Sequence, residues 1–257
     1  MATTTFNLLS ALFAAHCVGD FLLQTSSDVR NKTRFLILAK HSVIHALLAW
    51  LFAGYPTNYT IPLIVFCSHA AIDFIKARFE DSLRGFILDQ IAHIVVIATL
   101  PVLLDGFGVV FPAKEWIFVS IEMLISPVFI HISGLLLTVN AGSFFLTKFV
   151  APYQAQLQQQ LKSGTDEETS PLEARRGLKN AGSTIGKLER FLVYVLIHAG
   201  QPGGIGFLIA AKSIFRFGEL RDTSNRMESE YIIIGTLASF AYAITISEFV
   251  QWWFGIN

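Results

Sequence analysis

Pairs of potential metal ligands with a four-residue spacing recur through the first hundred residues of the chain. Each pair combines histidine with aspartate or with a second histidine. The pairs are His16 and Asp20, His41 and His45, His69 and Asp73, and Asp89 and His93. On an α-helix, a four-residue step rotates about 400° and rises about 6 Å, so both side chains of a pair project from one face. Because the pairs lie on four consecutive apolar segments, they predict one polar site among membrane helices.

The residue types in these pairs indicate a metal centre. Carboxylate and neutral imidazole are ligands for Zn²⁺, Mn²⁺ and Fe²⁺, and bound cations would offset the cost of placing ionisable groups in hydrocarbon. Five histidines and three aspartates are too many for one tetrahedral ion. We therefore expect two or three divalent metal ions, with zinc as the first expectation and manganese or iron as alternatives. A hydrogen-bonded Asp–His network that relays protons is the alternative without metal.

Such a centre favours hydrolysis. A divalent ion lowers the pKa of bound water toward 7, and two ions can hold the attacking and leaving oxygens of a phosphoester or acyl centre. The function expected from the residues is a metal-dependent hydrolase acting on a phosphate- or acyl-containing substrate, such as a lipid. The candidate catalytic residues are Asp20, Asp73 and Asp89, one of which would be the general base. Gln90, next to Asp89, could support the ligands.

Four basic residues are candidates for binding an anionic group of the substrate. They are Lys40, Lys76, Lys212 and Arg216. Lys40 and Lys76 are expected at the cytoplasmic rim of the site formed by the four pairs. Lys212 and Arg216 share a helix face at a four-residue spacing. Topology alone also explains basic residues at such positions.

Other functions stay open. A transporter for divalent metal ions or protons needs a path to both membrane faces, and the outer halves of the first four segments offer no matching ligands. A di-iron membrane oxidase or hydroxylase fits the histidine content, but the sequence offers no electron-transfer partner. A membrane protein that uses metal only for folding is a further alternative.

The composition predicts an all-α, polytopic integral membrane protein. Hydrophobic residues make up 53% and charged residues 15%, and the mean hydropathy is +0.55. The net charge of zero and the pI of about 7.1 give no basic surface for nucleic acid. The expected partners are therefore the lipid bilayer and a small-molecule or lipid substrate.

Apolar blocks predict about eight transmembrane helices. The expected spans are 6–23, 35–53, 61–75, 86–104, a region 116–149 broken near Pro127, 185–199, 205–217 and 231–253. We divide the chain into a four-helix metal-binding bundle (1–105), a fifth membrane region (106–153), a cytoplasmic polar linker (154–184) and a three-helix membrane region (185–257).

The basic loops orient these spans. Lysine and arginine cluster after the first and third spans, between the fifth and sixth, and between the seventh and eighth, so these loops are expected in the cytoplasm. This topology predicts two layers of side chains in the cytoplasmic half of the membrane. The layer nearer the cytoplasm comprises Asp20, His41, Asp73 and Asp89. The layer one helical turn deeper in the membrane comprises His16, His45, His69 and His93.

The same motifs resemble a known family. The run His16-x-x-x-Asp20, Lys40-His41-x-x-x-His45, His69-x-x-x-Asp73 and Asp89-Gln90-x-x-His93 resembles the bacterial membrane family catalogued as domain of unknown function 3307. The resemblance implies a location in the bacterial inner membrane and implies no activity. A fainter likeness links the helical pairs to membrane-bound metal-dependent hydrolases and to zinc-dependent phospholipase C and P1-type nucleases, although this chain lacks their N-terminal tryptophan ligand.

Overall fold

The computed structural model describes residues 2–107, 109, 122–163, 181–217 and 226–256, and within them the chain is helical without strands. The α-helices are α1 (Ala2–Val18), α2 (Ser26–Arg30), α3 (Phe35–Ala53), α4 (Thr60–Lys76), α5 (Leu83–Gly106), α6 (Glu122–Leu136), α7 (Gly142–Ser163), α8 (Ala181–His198), α9 (Gly203–Phe217) and α10 (Arg226–Ile256). Two π-helical turns, Gly19–Leu23 and Leu137–Ala141, interrupt this series. The predicted all-α class is confirmed.

Within the described residues, five helical segments are long and apolar enough to cross a membrane. They are Thr5–Leu23, Phe35–Ala53, Leu83–Gly106, Ser126–Gln160 and Met227–Trp253. Helices α4 and α9 have only 17 and 15 residues, short of the roughly 20 that span hydrocarbon. The chain is therefore helical with five candidate membrane spans in its described part, and the count of eight spans stays a prediction.

The helices follow most of the predicted bounds, with one clear error. The second predicted span coincides with α3, whereas α5 is longer than expected at both ends. The expected break near Pro127 is wrong, because α6 continues through this residue. Proline removes one backbone donor, but membrane helices tolerate this when neighbouring groups satisfy the freed carbonyl. Helix α7 continues to Ser163, into the predicted linker, and α8 begins at Ala181. The rest of the predicted linker, residues 164–180, lies outside the described residues.

The chain forms two compact units, Met1–Leu137 and Thr138–Asn257. The division into four parts expected from the sequence stays a prediction. In the first unit, α1 packs against α3, α5 and α6, and α4 packs against α3 and α5. Of the segment Thr5–Leu23, 67% is buried, against 28% of Phe35–Ala53. Helix α1 is thus the central helix of this unit.

Apolar side chains hold each unit together. In the first unit, a buried cluster includes Leu8, Leu12, Ile61 and Leu100 from α1, α4 and α5. In the second unit, α10 packs against α7 and α8, and α8 also contacts α9. The buried side chains there include Val193, Ile197 and Phe240 among others.

Candidate metal centre

The eight residues of the four predicted pairs lie in one buried cluster of the first unit, which we call the His/Asp cluster. It comprises His16, Asp20, His41, His45, His69, Asp73, Asp89 and His93, and none is more than 6% exposed. The side chains come from α1 with its π-helical turn, and from α3, α4 and α5. The four-residue spacing thus brings both members of every pair into the same interior.

Four imidazole rings form a continuous layer within the cluster. The ring of His69 stacks on those of His45 and His93, with centroids 3.6 and 4.2 Å apart. The His16 ring lies 4.9 Å from His93 and 5.5 Å from His45. The ring of His41 adjoins this layer at 4.6 Å from His45. The imidazoles expected at one depth are therefore neighbours in space.

Asp20 is the carboxylate with the most histidine neighbours. Its Oδ1 lies 3.1 Å from Nε2 of both His41 and His45, and 3.8 Å from Nε2 of His69. Its Oδ2 lies 3.7 Å from Nε2 of His16. One side chain from the π-helical turn therefore reaches ligands on three different helices.

Asp73 and Asp89 complete the cluster from α4 and α5. Asp73 Oδ2 lies 3.5 and 3.6 Å from Nε2 of His69 and His41, and Asp89 Oδ1 lies 3.6 Å from Nε2 of His93. Together with the contacts of Asp20, these distances mean that all five histidines turn the same ring nitrogen toward a carboxylate.

Four buried polar atoms of the cluster have no hydrogen-bond partner among the described residues. They are Nε2 of His69, Nε2 of His93, Oδ2 of Asp73 and Oδ1 of Asp89. A buried donor or acceptor without a partner costs about 1–3 kcal/mol, and such atoms are rare in folded proteins. Their convergence in one cluster indicates that the site is shaped for a ligand.

The spacing of the donor atoms suits a metal ion. Three groups have donor atoms all within 4.8 Å of one another: Asp20, His41, His45 and His69; His16, His69 and His93; and Asp20, Asp89 and His93. Two ligand atoms at about 2.0–2.1 Å from a tetrahedral zinc ion lie about 3.3 Å apart. The observed separations of 3.1–3.8 Å around Asp20 are close to this value. These buried groups could therefore hold a metal ion, whose identity and number stay predictions.

The outer oxygens of the carboxylates are held by side chains at the edge of the cluster. Lys32 Nζ donates to Asp73 Oδ1 at 3.0 Å, and Lys76 Nζ donates to Asp89 Oδ2 at 2.5 Å. Gln90 Nε2 donates to Asp20 Oδ2 and to Asp89 Oδ2, both at 3.1 Å. Such contacts orient ligands, and here they leave the inner oxygens of Asp73 and Asp89 facing the histidines.

The loop between α1 and α3 places Lys32 at the edge of the His/Asp cluster. Thr25 and Asp28 form a reciprocal capping box at the start of α2, and Asp28 also pairs with Lys40 at 2.7 Å. The hydrogen bond from Lys40 lowers the pKa of Asp28 from 3.8 to about 2. Burial opposes the charge of Lys32, but the carboxylates of Asp73 and Asp20 outweigh it and raise the pKa of this lysine. The loop therefore presents a charged ammonium group to the cluster.

The lack of a side chain at Gly19 leaves room for the imidazole ring of His45. A Cβ atom at this position would overlap the imidazole ring of His45. Gly19 also opens the π-helical turn that carries Asp20, a type of distortion that often occurs at functional sites. The absence of a side chain at residue 19 is therefore part of the geometry of the cluster.

The candidate anion-binding residues have carboxylate partners where their side chains are described. Lys40 pairs with Asp28, Lys76 with Asp89, and Lys212 with Glu189 at 2.6 Å. The side chain of Arg216 lies outside the described residues. Their proposed role stays a prediction. Lys32 is not among the predicted site residues; the Thr25-Ser-Ser-Asp28 capping signature marks only the start of the short helix that precedes it.

The second unit contains a buried cation of a different kind. Arg190 is 4% exposed. Its guanidinium donates to the carbonyl oxygen of Val139 from Nε and Nη2, to Ser143 Oγ at 2.5 Å and to Ser239 Oγ at 3.1 Å. Arg190 therefore joins α8 to α10 and to the chain around the second π-helical turn.

Fold and site together define a helical protein with candidate membrane spans and a buried His/Asp cluster that could hold a metal ion. Residues 8–109 match the model of a family described as a protein of unknown function (DUF3307). The match covers all eight residues of the cluster and confirms the family resemblance seen in the motifs. No curated protein and no solved structure matches the chain.

Proposed function

We propose that this chain is a membrane-embedded metal-dependent hydrolase that acts on a phosphate- or acyl-containing substrate. In this proposal α1, α3, α4 and α5 form a four-helix metal-binding bundle around the His/Asp cluster. The observation that carries the proposal is the set of four unpartnered buried atoms on His69, His93, Asp73 and Asp89. A proton relay would use these atoms in hydrogen bonds, whereas a metal centre needs them free.

The donor set favours two or three ions, with zinc first. Imidazole nitrogen and carboxylate oxygen together are typical zinc ligands, and manganese and iron accept the same set. When bound, such ions would supply Lewis acidity and a water molecule of lowered pKa. Asp20, His41, His45 and His69 form a group with four close donor atoms. His16, His93 and Asp89 would complete the remaining positions.

Asp73 is the proposed general base. It belongs to none of the three groups of mutually close donors, and its Oδ2 has no hydrogen-bond partner within the described part of the chain. A carboxylate in this position can accept a proton from an attacking water molecule. Lys32, which holds the other oxygen of Asp73, keeps the carboxylate oriented.

We propose that the protein lies in the bacterial inner membrane with its site in the cytoplasmic half. Lys32 and Lys76 adjoin the carboxylate edge of the cluster, and Lys40 pairs with Asp28 of the loop between α1 and α3 (residues 24–34), which we call the covering loop. Basic residues favour the cytoplasmic side. The lipid bilayer and a small-molecule or lipid substrate are the proposed partners.

The side of the histidine layer away from the lysines argues against ion transport. The positions one helical turn beyond His16, His45, His69 and His93 are Leu12, Ala49, Val65 and Ile97, all of which are apolar. They line a small cavity together with the four imidazoles. An ion leaving the cluster in this direction would meet hydrocarbon side chains without ligands, so a hydrolase fits the site better than a transporter.

The same cavity favours one second candidate, a di-iron oxidase or hydroxylase. The cavity borders the four imidazoles, is walled mainly by apolar side chains and has room for a water-sized molecule. Dioxygen is apolar and of this size. Iron instead of zinc in the purified protein would therefore favour oxidation chemistry over hydrolysis.

The proposal is tested by a substrate screen on detergent-purified protein. Nitrophenyl monoesters and diesters of phosphate and nitrophenyl acyl esters are offered to the wild-type protein and to Asp20→Asn. We expect hydrolysis of at least one class, its loss on chelation, its return with zinc or manganese, and at least a hundredfold lower rate in the variant. Equal rates in wild type and variant would assign the activity to a contaminant and contradict the proposal.

A further inference from the structure

We infer that Lys32 binds an anionic oxygen of the substrate, and that this substrate is a phosphate ester and not an uncharged acyl ester. The inference rests on the proposed function and specifies its substrate class. Its starting point is the contact between Lys32 Nζ and Asp73 Oδ1 at 3.0 Å, at the edge of the His/Asp cluster.

Lys32 has hydrogen-bonding capacity left over. An ammonium group carries three N–H donors, and in the described residues one of them goes to Asp73. The side chain of Lys32 is 11% exposed, whereas that of Asp73 is 1% exposed. An anion that enters from the lysine side therefore meets Lys32 before it reaches the carboxylate.

The charges of the cluster favour an anionic ligand. With neutral imidazoles, the three carboxylates are opposed by two ammonium groups, those of Lys32 and Lys76, which leaves one net negative charge. Two divalent ions would convert this to an excess of three positive charges. Because excess charge is costly in a buried site, a phosphate group that carries one or two negative charges balances the loaded cluster better than an uncharged ester.

The covering loop holds Lys32 independently of Asp73. The capping box of Thr25 and Asp28 fixes the start of α2, and the Asp28–Lys40 pair ties that turn to α3. These contacts do not involve Asp73, so they keep the loop on the cluster when the Lys32–Asp73 contact opens. Lys32 can then turn its ammonium group toward an incoming phosphate oxygen.

The experiment titrates inorganic phosphate into zinc-loaded, detergent-purified protein and follows binding by calorimetry, after metal content has been measured. The variants are Lys32→Gln, Lys32→Arg and the control Lys187→Gln. Lys187 is an exposed lysine on α8, in the second unit. We expect Lys32→Gln to keep its metal and to bind phosphate about 10- to 100-fold more weakly, the usual effect of losing a charged hydrogen bond. Lys32→Arg should be weakened less, and Lys187→Gln should resemble wild type.

Hydrolysis provides the second readout. Lys32→Gln should raise KM for a phosphate monoester more than it lowers kcat, with no matching rise in KM for an acyl ester. A Lys32→Gln protein that retains both metal and phosphate affinity would overturn the inference and leave the hydrolase proposal intact. Loss of metal in Lys32→Gln would mean that Lys32 only positions Asp73, and would also overturn the inference. Wild-type protein that loads with metal but ignores phosphate contradicts the inference alone, whereas wild type without metal contradicts both proposals.

Discussion

The two units of this protein bury charge in different ways. In the first unit, the His/Asp cluster leaves buried atoms of His69, Asp73, Asp89 and His93 without partners. In the second unit, the guanidinium of Arg190 is occupied by a carbonyl oxygen and two hydroxyl groups. Burial of ionisable groups within membrane helices is therefore not sufficient to identify a ligand site. Unpartnered atoms that face one another distinguish the first cluster from the structural contact in the second.

The largest effect expected from this comparison is the loss of metal in Asp20→Ala. Asp20 belongs to two of the three groups of close donor atoms, so its removal should lower metal content by at least half. Elemental mass spectrometry of purified variant and wild type measures this. An Asp20→Ala protein with full metal content would contradict the claim that the cluster of the first unit is a metal site.

Gly19→Ala should reduce metal binding without removing any ligand. The added methyl group would overlap the imidazole of His45, and a displaced histidine should weaken metal affinity about 10- to 100-fold, as disturbed ligand orientation does elsewhere. Competition with a chelator of known affinity gives the value. Gly182→Ala is the matched control, because a Cβ there meets nothing within 4 Å. Equal metal affinity in the two variants would mean that the position of the His45 ring does not affect metal binding.

Arg190→Ala should change stability and not metal content. The variant leaves the Val139 carbonyl, Ser143 and Ser239 without their buried donor, which we expect to cost about 2 kcal/mol. A lower midpoint of thermal unfolding in detergent, with metal per chain unchanged, is the predicted result. Loss of metal in this variant would contradict the assignment of Arg190 to structure alone.

Asp28→Asn should have the smallest effect, which is a looser covering loop. Because the folded pKa of Asp28 is about 2 and its ordinary value is 3.8, the ion pair with Lys40 stabilises the loop above pH 3.8. That contribution is lost as the pH falls toward 2. Hydrogen exchange of the α2 amides should be faster in the variant at pH 5, and the two proteins should converge near pH 2. No difference at pH 5 would show that the pair does not hold the loop.

The composition of the His/Asp cluster could be predicted because helical spacing carries it. His16 and Asp20, or His69 and Asp73, share a face on any helix with a step of four residues, and the alternating direction of consecutive spans brings such faces to one depth. The helix α3 was also predictable to the residue, since its apolar run ends at the left-handed Gly54. These features depend on local periodicity, which a single sequence contains.

The features that the sequence did not predict depend on contacts between distant residues. Lys32 reaches Asp73 across 41 positions through an irregular loop, and no periodic pattern reports such a contact. The π-helical turn at Gly19 inserts an extra residue without a composition signal. The helix continues through Pro127, so local preference for a break was overridden there by the packing and length of the membrane helix.

The measurement that tests the account most directly is metal per chain in detergent-purified protein, beside a His16→Ala/His93→Ala variant. We expect two or more zinc or manganese ions in the wild type, most of them lost in the variant, because His16, His69 and His93 form one of the close donor groups. Iron in place of zinc would keep the metal centre and favour oxidation chemistry. Wild-type protein without metal, purified free of chelator, would contradict the central claim and favour a proton relay.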